Sequence, residues 1–133
     1  MVDHVAHAVH VEEWRDALGA GPEHDDGLEP HVAPLLDAHG VRYVVNHDYE
    51  DGMYSSIRCG VRALPRDVCA FFVHPVDCAL VRSETLSLLA RSAREPATSV
   101  VYPVHDAERG HPPLVPAALR AAILAEEPKG GLK

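Results

Sequence analysis

The chain has 133 residues, 47% of them apolar and 24% charged, a balance that fits one globular domain and excludes a wholly disordered chain. Its formal net charge of −8, from 20 acidic and 12 basic residues, argues against a surface built to neutralise nucleic-acid phosphates. Three cysteines without a CxxC pair, an acidic and histidine-bearing start, and no apolar run near the roughly 20 residues that span a bilayer imply free thiols, no signal peptide, no membrane segment and a cytoplasmic protein.

Residues 1–27 stand apart in composition. His4, His7 and His10 recur every third residue, but on a helix of 3.6 residues per turn the outer pair drifts about 60° short of two turns, so a metal site on one helical face is the weaker reading and solvated histidines the better one. Val11 to Leu18 suits a short helix stopped by Gly19 and Gly21, and Gly21 to Gly27 reads as a loop and the one internal boundary. Leu28, Val32, Leu35 and Leu36 then follow the spacing of a helix with one buried stripe, ended by Gly40.

Val41 to Val45 is β-branched and aromatic, hence a strand. After the loop from Asn46 to Tyr54, Ser55 or Ser56 can cap a helix whose apolar face is Ile57, Val61 and Leu64, with Pro65 beyond its end. Cys69 to Val81 holds an apolar run that stops at Pro75 and then presents Asp77, which reads as a buried strand ending in an acid. Ser83 can cap a helix carrying Leu86, Leu89, Ala90 and Ala93. Thr98 to Tyr102 is a further strand candidate. Pro116 opens a last helix with Leu119, Ala122 and Ile123 inward. Two βαβ units result from this order, so the expected fold is α/β, a mostly parallel sheet with flanking helices.

Three places carry candidate chemistry. Asp77 lies where open α/β sheets bind ligands, and one carboxylate with open water positions suits Mg²⁺ completed by substrate phosphates; it equally suits a plain helix cap. His111, between Gly110 and two prolines, has little backbone freedom, as a substrate contact or a simple rigid turn requires. Asn46 and the Gly52 to Ser56 loop offer a helix start that holds either a phosphate or only its own cap.

The segment Asn46-His47-Asp48-Tyr49-Glu50-Asp51-Gly52-Met53-Tyr54-Ser55-Ser56-Ile57-Arg58-Cys59-Gly60 resembles the N-x-x-[YF]-x-x-G-[ML]-x-[ST]-S-[LI]-x-x-G stretch of the MobA-like molybdenum-cofactor nucleotidyltransferases. Pro75-Val76-Asp77 resembles their P-x-D-x-P, and Gly110-His111-Pro112 with Leu114 their G-H-P-x-x-[FL] turn. Order and spacing agree over residues 33–127. The resemblance implies a Rossmann-like domain that joins a nucleoside monophosphate from CTP or GTP to a phosphorylated pterin-like acceptor such as molybdopterin. It gives Asp77 the role of Mg²⁺ ligand, places Ser56, with Asn46 and Gly52, on the nucleotide side, and Gly110 and His111 on the acceptor side.

The departures point the other way. The glycine-rich triphosphate loop with its lysine has no counterpart, since the only lysines are Lys129 and Lys133, and Ala79 replaces the second proline of P-x-D-x-P. The late G-D-x-G-[AG] motif survives only as Glu127-Pro128-Lys129-Gly130-Gly131. The expectation is a partial domain over residues 28–133, behind an unmatched segment 1–27, which is either an impaired nucleotidyltransferase or a non-catalytic acceptor-binding module. The family's first strand pairs beside the strand bearing Asp77; without it that edge needs cover from residues 1–27 or from a second chain in a homo-oligomer.

Overall fold

A computed structural model describes residues 5–6, 10–11, 29–78, 80–92 and 98–125. In chain order they form β1 (Val5–Ala6), β2 (His10–Val11), α1 (Glu29–Ala38), β3 (Tyr43–Val44), α2 (Met53–Ala63), β4 (Ala70–Phe72) and α3 (Ser83–Ser92). A hairpin of β5 (Val104–His105) and β6 (Glu108–Arg109) comes next, then β7 (Leu114–Pro116) and α4 (Arg120–Ala125). Tight 3-10 turns occupy Tyr49–Asp51, Val76–Cys78 and Ala117–Leu119. The chain divides into two compact units, one of β1 with the described residues from 64 to 125, the other of β2 with residues 29–63.

In the first unit β4 is the middle strand. Val5 and Ala6 pair parallel with Ala70 and Phe71 on one edge, and Leu114 to Pro116 pair antiparallel with Phe72 to Ala70 on the other. The edge for which the sequence demanded a cover is therefore occupied, over these two residues, by the chain's own N-terminal segment. Both neighbours matter because an unpaired buried N–H or C=O costs about as much as a lost hydrogen bond. Ala70, Leu89 and Leu114 form the buried cluster, with Phe72 and Val101 packed against it. The side chain of Arg120 donates to the carbonyls of Leu64 (2.7 Å) and Pro65 (3.0 Å).

In the second unit α2 lies against β2, β3 and the Tyr49–Asp51 turn. Tyr54 and Val61, seven positions apart, are buried on one stripe with Ile57 half-buried between them, the spacing of an amphipathic helix. Gly40 ends α1: at φ +64° it takes the left-handed conformation that glycine adopts without a Cβ penalty. Its N–H donates to Asp37 O (3.0 Å) and that of Val41 to Leu36 O (2.9 Å), so two otherwise orphaned helix carbonyls are satisfied as in a Schellman motif.

Several expectations are corrected. The described strands do not make one mostly parallel sheet: β1–β4 and β2–β3 are parallel, β4–β7 and β5–β6 antiparallel. The segment from Thr98 to Tyr102 is no strand; only Val101 bridges Leu114, and Pro103 directly after it has no N–H to extend a ladder. The hairpin takes that place in the chain. Its turn residues Asp106 and Ala107 both have positive φ, 50° and 66°, the geometry of a two-residue primed turn. The apolar run from Cys69 yields a strand of only three residues.

Helix starts and faces shift as well. Arg82, not Ser83, caps α3, because its carbonyl accepts the N–H groups of Thr85 and Leu86. Helix α2 begins at Met53, so Ser55 and Ser56 lie inside its first turn. Leu35 is 60% exposed and Ala122 is exposed, which narrows both predicted stripes. His10 sits in a strand, which removes it from any helical face of histidines. His4, His7, the loop 21–27, Leu28, Ala93 and the run 127–131 lie outside the described residues.

Leu114 is 1% exposed and Leu88 67% exposed in the same unit. Leu114→Ala is expected to lower unfolding free energy by about 2–5 kcal/mol, while Leu88→Ala stays within about 0.5 kcal/mol. Urea melts of the two variants check this, and equal midpoints would rule out the assigned core.

Candidate functional site

The candidate residues fall into two groups, one in each unit. In the first unit, Asp77 and His111 lie at the same end of the β4–β7 pair. Chain leaving β4 is held by Val73 N–H donating to Pro113 O (3.2 Å). Residues 76–78 then turn sharply, closed by Cys78 N–H to Pro75 O (3.1 Å). His74 Nε2 lies 2.7 Å from the carbonyl oxygen of Cys78. A carbonyl only accepts, so Nε2 carries the proton. The turn that displays Asp77 is thus braced from both sides, and Asp77 itself is exposed.

His111 is exposed too, whereas Pro112 and Pro113 behind it are buried. Buried prolines carry no N–H to satisfy, so they can hold a loop against a core where other residues would strand a donor. Gly110 donates its N–H to Pro103 O (2.8 Å). A Cβ there would meet Pro103 atoms at 3.6 Å, so packing does not by itself demand glycine.

In the second unit Asn46 is 7% exposed and Ser56 6%. Asn46 Nδ2 donates to Ser55 Oγ (2.8 Å) and Ser56 Oγ (3.0 Å), and Asn46 Oδ1 accepts from Asp48 N–H (3.1 Å). Ser55 Oγ in turn donates to Gly52 O (2.8 Å). Gly52 has φ +90° and ψ 179°, a region that is essentially glycine-only. The first turn of α2 is therefore tied to the segment after β3 by one buried amide.

Cys78 and His74 were not singled out by sequence reasoning. The signal was local: both flank Asp77 within three residues, and Cys78 touches its carboxylate. Desolvation first, then the charge of Asp77 and a hydrogen bond to it, push the Cys78 thiol above its ordinary value. Cys59 is also pushed up, chiefly by burial, with Arg62 pulling it down and Asp48 adding to the rise.

Among the described residues no three His, Cys, Asp or Glu side chains gather in a metal-binding cluster. What the end of β4 offers is a single exposed carboxylate, which fits a Mg²⁺ completed by phosphates and water and does not fit a cation caged by protein alone. Among the described residues no helix is long and apolar enough to cross a membrane.

The family model of the MobA-like NTP transferase domain matches residues 1–133. The match takes in the first 27 residues, which the three sequence motifs had left aside. No curated protein matches the chain.

A thiol raised in the folded state binds its proton more tightly there than when unfolded. The stability this contributes is complete below the ordinary thiol value of about 8.5 and is lost as pH rises through the folded value. Alkylation of Cys78 is expected to reach its half-maximal rate at higher pH in the folded protein than in urea. Asp77→Asn should move that midpoint down, read by peptide mass spectrometry; an unmoved midpoint would separate the two side chains.

Proposed function

Because the chain belongs to the MobA-like NTP transferase family, we propose that it transfers a nucleoside monophosphate from CTP or GTP to a phosphorylated, pterin-like acceptor such as molybdopterin. A phosphate oxygen of the acceptor attacks the α-phosphorus, the bond from that phosphorus to the bridging oxygen breaks, and pyrophosphate leaves. Such a reaction needs alignment and charge neutralisation more than covalent participation by the protein.

The observation that carries this reading is the exposed Asp77 on a braced turn just after β4. Asp77 would hold Mg²⁺, which when bound supplies neutralisation of the phosphate charge. His111, at the same end of the β4–β7 pair, would face the acceptor. Ser56 and Gly52 would serve the nucleotide.

One observation favours a second reading. With no lysine before Lys129 and no glycine-rich loop of the family's pattern, the protein would keep an acceptor-binding surface around His111 without turning over nucleotide. Titration calorimetry separates the two. The transferase reading expects Mg²⁺-dependent binding of CTP or GTP that weakens at least about tenfold in Asp77→Asn, roughly 1.4 kcal/mol. Binding of a pterin without nucleotide turnover supports the second reading. No nucleotide binding, with Asp77→Asn indistinguishable from wild type, removes the first.

A further inference from the structure

A cavity of about 480 Å³ opens in the second unit, lined by the chain from Gly40 to Val44 together with Asp37 and Ala63. That volume lies within the roughly 300–1,000 Å³ of ligand sites. Ala63 ends α2, whereas Ser56 lies in its first turn, about 10 Å back along the helix axis. Asn46 follows β3, whereas the cavity takes in the residues that lead into that strand. The cavity is therefore a different place from the one the Asn46 network occupies.

Tyr43 and Val44 are successive strand residues, and successive side chains point to opposite faces. Both line the cavity, so it meets β3 along an edge and not on one face. Strand β2 pairs with both residues, and paired strands about 4.8 Å apart leave no room for such a volume between them. Among the described residues no strand pairs with the other edge of β3. An open edge presents backbone donors and acceptors to any extended chain that reaches it. Two opposite charges frame this one: Arg42 and Asp37 are both exposed, and among the described residues neither side chain has a hydrogen bond or ion pair.

We propose that this edge binds a short extended peptide, which adds a strand to β3 and sets a carboxylate against Arg42 and an ammonium group against Asp37. Main-chain bonds to an open edge hold any sequence, so the two charges supply the selection. A nucleotide or an inorganic anion would pair with Arg42 and be repelled by Asp37, which favours a ligand carrying both signs. A second copy of the chain is disfavoured, because each copy carries a net charge of −8. The site stands independently of the nucleotidyltransferase reading.

The test titrates the nitrogen-15-labelled full chain by NMR with two acetylated and amidated tripeptides, Lys-Val-Glu and Glu-Val-Lys, which present the charges in opposite order along the edge. One of them is expected to bind more tightly and to shift the amide signals of Gly40 to Val44 and of Ala63. Arg42→Ala and Asp37→Ala should each weaken that peptide about two- to fivefold, the range of exposed ion pairs. The exchange Asp37→Arg/Arg42→Asp keeps the net charge and is expected to reverse the preference between the two peptides, which a merely structural role would not do. Binding of neither peptide, or binding that both alanine variants leave unchanged, overturns the proposal. Shifts of the same signals with protein concentration alone would give the edge to a second copy, and shifts of them by CTP or GTP with Mg²⁺ would give it to the nucleotide; either overturns the peptide site.

Discussion

Hydrogen bonding on both edges of β4 is the constraint that the first unit is built around. The strand is only three residues long, too short to be stable by itself, and Ala70 and Phe71 are buried. Their backbone groups must be satisfied by protein, because water does not reach them. Val5–Ala6 supply one edge and Leu114–Pro116 the other. Only with both in place does the chain leave the sheet at Val73, so the position of Asp77 depends on two segments far from it in sequence.

The second unit solves a different problem. A polar side chain buried beside a helix start must be fully partnered or it destabilises the fold. Asn46 meets this with its carbonyl oxygen on Asp48 N–H and both amide protons on Ser55 and Ser56. Glycine at 52 allows the chain to reach the helix at φ +90°, and no other residue enters that conformation readily. The run from Asn46 to Ser56 is thus a structural unit whose polar residues are chosen for each other.

Much of this was legible in the sequence where a local signal had one meaning. Gly40 after an apolar stripe marked the end of α1, and the apolar run before Pro75 marked β4 and the acid beyond it. The first β-strand pairing was not legible, since nothing in the composition of residues 1–27 marks Val5 and Ala6 as strand; the pairing is set by the edge they meet. Ser83 resembled a cap, but the backbone turns one residue earlier, and a carbonyl at Arg82 accepts the first bonds. At the candidate site, Asp77 and His111 were visible because proline and glycine frame them. The bracing by His74 and the coupling of Cys78 to Asp77 were hidden, because they depend on a turn whose shape only the fold provides.

Nothing in the sequence reading announced the hairpin of β5 and β6. Its tip, Asp106-Ala107, lacks the asparagine or glycine that primed turns prefer, and alanine at φ 66° is unfavourable. Something other than the tip therefore enforces the shape, and the foot of the hairpin provides it. Arg109 lies over the Tyr102 ring at 4.9 Å from its centroid, and Gly110 N–H donates to Pro103 O. A loop shaped from its foot can vary at its tip without displacing the chain beyond it. The residues between 104 and 109 are thus where insertions and new surface chemistry can accumulate in descendants of this chain, while the run from Gly110 into β7 stays in register.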